Sequence, residues 1–398
     1  MKLNVVKNRS RFWVILSAFL VITAFLGGSS RQDVVQAAFL RPLIPLFLFP
    51  VLFIVSRDNL RKAPLLLISM FVLVSWIAIQ LIPLPPSMFQ SLTNRRILTE
   101  IDTVLLVDQH WRPISMAPSR GWNALFGVLV PFFGLLLAVV SGARSKLLLL
   151  LMASVGLLNA MIGFLQVLGE RSGPLYFYSI TSRGSAVGLF ANENHSSAFS
   201  CVTLLALTWL FLAARRSEVP TWLRYLFAPA FVFVFLSTLI SGSRGGLALA
   251  VVAAMVSVFA IGIGNLRPQP AVPQNTLLRW RERYPVLIAA ILFSIVVSLI
   301  VAFIGLGRSS AFEEILARET FQDLRWRLWP VLSEMMSEHW LVGTGFGSFE
   351  EVYHLYEPTD LLLPRYINQA HNDWAQLVIE GGLPAVLMLL VLVAWIGA

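Results

Sequence analysis

The sequence predicts an all-α polytopic membrane protein, and three observations carry the prediction. Of 398 residues, 57% are hydrophobic and 13% charged, with a mean hydropathy of +0.76. Such a chain has too little polar surface to wrap a water-soluble core, which excludes the two or three soluble domains its length would otherwise allow. Apolar runs of bilayer-spanning length recur along it, and the basic residues between them alternate in abundance.

A hydrocarbon core about 30 Å thick takes roughly 20 helical residues. Runs near that length lie at about 12–28, 37–55, 64–84, 122–142, 147–169, 196–214, 224–241, 246–264, 285–306 and 381–398, so ten helices are predicted within a single membrane domain, 1–398. The first starts like a signal peptide, with Lys2, Lys7, Arg9 and Arg11 ahead of the apolar stretch Phe12 to Leu26. No small-x-small cleavage site follows, so it reads as an uncleaved first helix. The last run stops in apolar residues without a basic stop signal, so a truncation or a continuation into further helices is expected. Cys201, the single cysteine, lies inside a run, which excludes a disulfide framework and a thiolate metal site. Longer polar segments separate the runs at 85–121, 170–195 and 307–380.

The net charge of +9 and a pI near 10.2 raise the question of nucleic-acid binding. Its distribution answers it. Lys and Arg near span ends are retained on the cytoplasmic side. With the N-terminus inside, 16 cations and the acids Asp58, Glu218 and Glu282 fall on that side, a net +13, against −5 outside, while Arg41 lies within the second span. All four lysines fall inside, and all five histidines (His110, His195, His339, His354 and His371) fall outside. The charge therefore records topology, and the three polar segments face out.

The 307–380 segment is the most informative. Phe321, Leu324, Leu328, Val331, Leu332 and Met335 form a 3.6-residue apolar stripe, with Arg325 and Arg327 elsewhere on the surface. Trp326, Trp329 and Trp340 suit the headgroup level, so an interfacial helix is predicted, with Pro330 as a kink. Its arginines either solvate it and touch lipid phosphate or serve a site. Gly343-Thr-Gly-Phe-Gly347 superficially resembles a phosphate loop but lacks the strand that a nucleotide fingerprint needs before it; a tight reversal is the expectation. His371, in Gln369-Ala-His-Asn-Asp-Trp374, is the one side chain of that stretch able to take a proton near neutral pH, unless it is simply a hydrogen-bonded interfacial group. His339, His354 and His371 lack helical ligand spacing for zinc.

Two further clusters belong to the same face. Ser241-Gly-Ser-Arg-Gly-Gly246 puts Arg244 at a membrane boundary, where an arginine is costly unless it is paired or lines a polar cavity. A snorkelling anchor is the alternative. In Gly188-Leu-Phe-Ala-Asn-Glu-Asn-His195, Asn192 and Asn194 either cap the incoming helix or bind hydroxyls and phosphate; capping accounts for one of them. Gln166, near the end of the fifth run, faces the same cavity or pairs with a neighbouring helix. Arginines, amides and one candidate base suit a phosphate ester at membrane depth, because the guanidinium fork holds phosphate oxygens in two places and stays charged.

Four blocks in this order resemble the O-antigen ligase and O-antigen polymerase superfamily of bacterial envelope glycosyltransferases. They are His110-Trp-Arg-Pro-Ile-Ser-Met-Ala-Pro118, Gly188 to His195, Ser241 to Gly246, and Arg325-Trp-Arg-Leu-Trp329 through Gly343 to Phe349 and His371 to Pro384. The resemblance implies an inverting, metal-independent transferase without cofactor, multi-pass in the bacterial inner membrane and active on its periplasmic face. The donor would be a glycan on undecaprenyl diphosphate, and the acceptor another glycan, lipid A core or a protein hydroxyl. By position, Arg244 and Arg325 would bind the diphosphate and His371 would activate the acceptor. Asn192, Asn194 and Asn372 would line the site, with Gln166, Arg183 and Arg327 as further substrate-binding candidates. Arg325 fits the family spacing to Trp329, although Arg327 could substitute. A transporter or flippase of the lipid-linked glycan is the rival reading; the paired, interrupted helices in related halves that many transporters show are not visible.

Overall fold

The computed structural model describes residues 2–29, 31, 34–53, 55–92, 94–107, 110–141, 145–220, 222–266, 321–362 and 367–397. The predicted run at 285–306, the loop residues Arg144, Arg267, Arg279, Arg281 and Arg283, and the first part of the 307–380 segment lie outside them. The other nine runs are helices. In chain order the elements are α1 (Lys2–Leu26), α2 (Val35–Leu52), α3 (Arg57–Leu60), α4 (Pro64–Gln80), β1 (Pro83–Leu84), α5 (Pro86–Gln90), α6 (Arg96–Val104), β2 (Arg112–Pro113) and α7 (Pro118–Val140). There follow α8 (Ser145–Leu168), α9 (Glu193–Arg215), α10 (Leu223–Ile240), α11 (Arg244–Leu266), α12 (Phe321–His339), α13 (Phe349–Tyr353) and α14 (Asp373–Gly397). Among the described residues, α7 to α11 and α14 are long and apolar enough to cross a membrane; α1, α2 and α4 contribute shorter apolar helices.

The chain forms two compact units. Unit one comprises Met1–Phe12, Arg41–Gly142 and Glu319–Ala398; unit two comprises Trp13–Leu40 and Ala143–Arg318.

In unit two, α8, α10 and α11 pack around α9. The apolar window of α9 is 67% buried, against 22–33% for its three neighbours. Small residues allow this enclosure, because lipid gives helices no hydrophobic reason to associate and close backbone approach supplies the attraction instead. A Cβ at Gly156 of α8 would stand 2.0 Å from Thr203 Oγ1 of α9. Ala153, Ala160, Ala206, Ala250 and Ala253 line the same contacts. The Thr208 hydroxyl lies 2.9 Å from Leu204 O and 2.8 Å from Ser257 Oγ, so its one proton has an acceptor within the bundle. The loops sort to two ends, as the charge alternation requires. Gly28, the 170–195 segment and the Ser241–Gly246 turn meet at one end, where Ala191 N–H donates to Gly28 O and Ser243 Oγ to Asn194 Oδ1. Lys146 and Glu218 pair at 3.0 Å, at the far end of α9.

In unit one, α4 packs on α7 and α14, and α12 packs on α14. β1 and β2 form a two-residue antiparallel ladder, Pro83 opposite Pro113 and Leu84 opposite Arg112. The helix α12 runs through Pro330, and of the predicted stripe the side chains of Phe321 and Leu324 lie outside the described residues. Its apolar partner is protein: Leu328, Val331, Leu332 and Met335 are buried against Phe349, Val352, Tyr353, Ala375 and Ile379. Trp326, Trp329 and Trp340 remain exposed.

The last helix differs from the predicted run at 381–398. It begins at Asp373 and is interrupted at Gly382, whose φ of +62° and ψ of −164° are non-helical. Pro384 has no N–H for the Glu380 carbonyl, and Leu383 N–H turns to Leu341 O. The freed carbonyls find other donors, as backbone at membrane depth must. Thr344 N–H reaches Ile379 O at 2.8 Å and Gly345 N–H reaches Glu380 O at 3.0 Å. Gln80 Nε2 also donates to Glu380 O, and Trp76 Nε1 to Gly381 O. Glycine is required on both sides of this contact: a Cβ on Gly343 would lie 2.2 Å from Glu380 O, and one on Gly382 would lie 2.6 Å from Gly343 N.

Candidate functional site

At the loop end of unit two, the Asn192 side chain caps α9 by accepting from Asn194 N–H at 2.7 Å. Asn194 Oδ1 accepts from Ser243 Oγ at 2.6 Å, and Ser243 Oγ accepts from Gly246 N–H at 2.8 Å. Ser241 hydroxyl donates to Thr238 O, which makes Ser197 the donor in the 2.8 Å Ser197–Ser241 contact. A Cβ on Gly246 would come within 2.2 Å of Ser197 Cβ, so the α10–α11 turn is pressed onto the start of α9. One asparagine is thus a cap and the other ties the two junctions together.

This seam fixes Arg244 as the first residue of α11, half-buried. Among the described residues its guanidinium has no hydrogen bond or ion pair. A cation at a helix N-terminus opposes the helix dipole, so the arginine does nothing for α11 itself. Two helix N-termini and a guanidinium meet at this end of the unit, together with the Glu193 carboxylate in the first turn of α9.

The 170–195 segment is held by amides of α8. Gln166 is buried; its Nε2 donates to Leu175 O and Gly188 O, and its Oε1 accepts from Gly188 N–H at 2.7 Å. Its amide is engaged with this loop. Asn159, one turn or two earlier, accepts from Leu189 N–H and donates to Ser196 Oγ. Arg183 is exposed, donates to Arg171 O at 3.1 Å and lies over the Tyr176 ring.

In unit one, His371 is exposed at the turn before α14, with a left-handed φ of +50°. Asn372 Oδ1 accepts from Ala375 N–H at 3.2 Å and caps the helix. Gln376 Oε1 accepts from Ala370 N–H, and Gln376 Nε2 donates to the buried Glu380 carboxylate at 3.4 Å, so the turn is gripped on both sides of His371. Arg327 donates to Asp360 O at 2.8 Å and pairs with its carboxylate at 3.2 Å. Arg325 lies on α12, four residues before Trp329; its side chain is outside the described residues.

His339 is a different kind of histidine. Arg95, 1% exposed, donates to Gly343 O at 2.6 Å and Ile114 O at 3.0 Å, and its other terminal nitrogen lies 3.4 Å from His339 Nδ1. Because a guanidinium only donates, Nδ1 accepts and Nε2–H points to Tyr356 Oη, which donates to Glu338 at 2.5 Å. Burial, then the Arg95 charge, lowers the imidazole to about 4, so it is neutral at pH 7. Burial also lowers Arg95, to about 10. No group of three or more His, Cys, Asp or Glu among the described residues is arranged to hold a metal ion.

Residues 229–390 match the O-antigen ligase family. That stretch, about two fifths of the chain, is similar to an O-antigen ligase domain. The match supports a membrane enzyme of glycosyltransferase type, and the matched family implies a lipid-linked glycan donor and a glycan acceptor. No curated protein and no solved structure shows significant similarity to it. The matched stretch contains Arg244, Arg325, Arg327, His371 and Asn372; Gln166, Arg183, Asn192 and Asn194 precede it.

The sequence pattern left out Asn159, Gln80, Arg95 and Glu380, which hold the loops carrying these residues. Each had a signal: an amide or charge inside or beside an apolar run needs a partner.

Proposed function

We propose that the protein transfers a glycan from undecaprenyl diphosphate to an acceptor hydroxyl by a single displacement with inversion, on the periplasmic face of a bacterial inner membrane. The acceptor oxygen bonds to the anomeric carbon from the side opposite the diphosphate. The bond from that carbon to the diphosphate oxygen breaks, and its electron pair leaves with undecaprenyl diphosphate. The acceptor proton goes to the His371 imidazole. Arg244 and Arg325 hold the diphosphate as its charge grows, with Arg327 and Arg183 as auxiliary cations. Asn194 and Asn372 contact sugar or phosphate, while Asn192 and Gln166 act through the loops they fix. No metal is assigned a role.

The observation that carries this reading is Arg244, whose guanidinium has no hydrogen bond or ion pair among the described residues, at the start of α11 in a turn tied to the start of α9. The test is reconstitution of the purified protein with a lipid-linked glycan and candidate acceptors. Release of undecaprenyl diphosphate with an inverted new linkage is expected. Donor binding or translocation without any release would favour a flippase and overturn the reading. A surface-glycan gel from a deletion strain then names the acceptor: core bearing one repeat marks a polymerase, bare core a ligase.

A further inference from the structure

The 85–121 segment carries an apolar surface that the proposed chemistry does not use. At 3.6 residues per turn, the nine residues of α6 present three faces, each about a third of its circumference. Asp102 is buried on the first, and Arg95, which precedes the helix, is buried too. Arg96, Glu100 and Thr103 are exposed on the second, where Arg96 and Glu100 pair at 2.7 Å. Ile97, Ile101, Val104 and Leu105 make the third, exposed and wholly apolar. It continues past the helix end into Leu106, 88% exposed, and Trp111, also exposed.

The height of α6 is fixed at both ends. Arg95 donates to Ile114 O, and Asp102 accepts two hydrogen bonds from Arg112, so the helix is tied to residues 112–114. Those residues leave the ladder with Pro83 and Leu84, just past α4, and Ser115 N–H donates to Gln80 O, the end of α4 itself. The apolar helix α7 starts three residues later, at Pro118. The helix is therefore held where the apolar helices α4 and α7 reach their polar ends. A helix at that level with one face on protein, one charged and one apolar meets water and acyl chains at once.

We propose that the apolar face of α6 and the Leu105–Leu106 tip insert into the boundary between headgroups and acyl chains, with the bilayer itself as the partner. Through Arg95 this anchor also fixes the Gly343 carbonyl, and so the reversal that meets α14. The inference rests on the fold and stands apart from the transfer chemistry.

The test uses the full chain with Cys201→Ser and one cysteine at a time, Ile101→Cys, Leu106→Cys or Thr103→Cys. Each is labelled with a nitrobenzoxadiazole probe and reconstituted in vesicles of phosphatidylcholine and phosphatidylglycerol. Lipid carrying a shallow doxyl group should quench the probes at Ile101 and Leu106 several-fold more than the probe at Thr103, and aqueous iodide should show the reverse order. Equal access of iodide to all three positions would overturn the proposal. So would protection of Ile101 and Leu106 from both quenchers together with cross-linking between copies, which would assign the face to a second copy of this chain.

Discussion

The two units use arginine in opposite ways. Among the described residues of unit one, four guanidiniums of the polar segments are committed: Arg95 to two carbonyls, Arg112 to Asp102, Arg120 to Glu350 and Glu351, and Arg327 to Asp360. Arg112 holds the Asp102 carboxyl below the ordinary range, mainly through their hydrogen bonds. In unit two, Arg244 is fixed by a serine and glycine seam that never touches its guanidinium. An arginine on a polar loop is thus no signal by itself. One placed against a helix dipole without an acceptor is.

Predictions can break or sharpen this contrast. The largest effect is expected at the turn of unit one that lies outside those ion pairs. His371→Ala should lower turnover of a lipid-linked glycan by about 10²- to 10⁴-fold, the range of a lost general base. Donor binding by the purified variant should persist; near-normal turnover removes the base assignment. Arg244→Lys keeps the charge and loses the fork, and should lower kcat/KM by about 10- to 100-fold, the order expected for charge-assisted hydrogen bonds. Unchanged kinetics would make Arg244 a membrane anchor. Arg327→Ala removes a largely exposed ion pair and should change stability by no more than about 1 kcal/mol. A loss as large as that of Arg244→Lys in turnover would show that the pair with Asp360 opens for substrate and would erase the distinction between the units.

The smallest effect concerns pH. His339 is held near 4 when folded and titrates near 6.5 when unfolded, so between those values the unfolded chain binds the extra proton. Stability should fall as pH drops through that window. Thermal unfolding of His339→Gln should show a shallower dependence there, and an unchanged slope would mean that the imidazole is not the group responsible.

The spans were legible because bilayer thickness imposes a length on apolar runs, and Arg244 was legible because its position is costly for an isolated cation. The interruption of α14 was not. It depends on Gln80 and Glu380, 300 residues apart, and no local pattern couples them. The two apolar stripes show a related limit. Periodicity found the one on α12, but it cannot say whether protein or lipid covers a stripe. Protein covers α12, and the shorter stripe on α6 is the one left open. At His371 the residue type was readable; the Gln376 and Asn372 bonds that shape its turn were only visible in three dimensions.

The Gly382 interruption also sets an order of events during synthesis. Trp76 and Gln80 are made some three hundred residues before the carbonyls they receive, and they must wait with open donors until α14 emerges. The seam around Arg244, built from residues 192 to 246, can therefore close while the chain is still being made, whereas the contact between α4 and α14 is among the last to form.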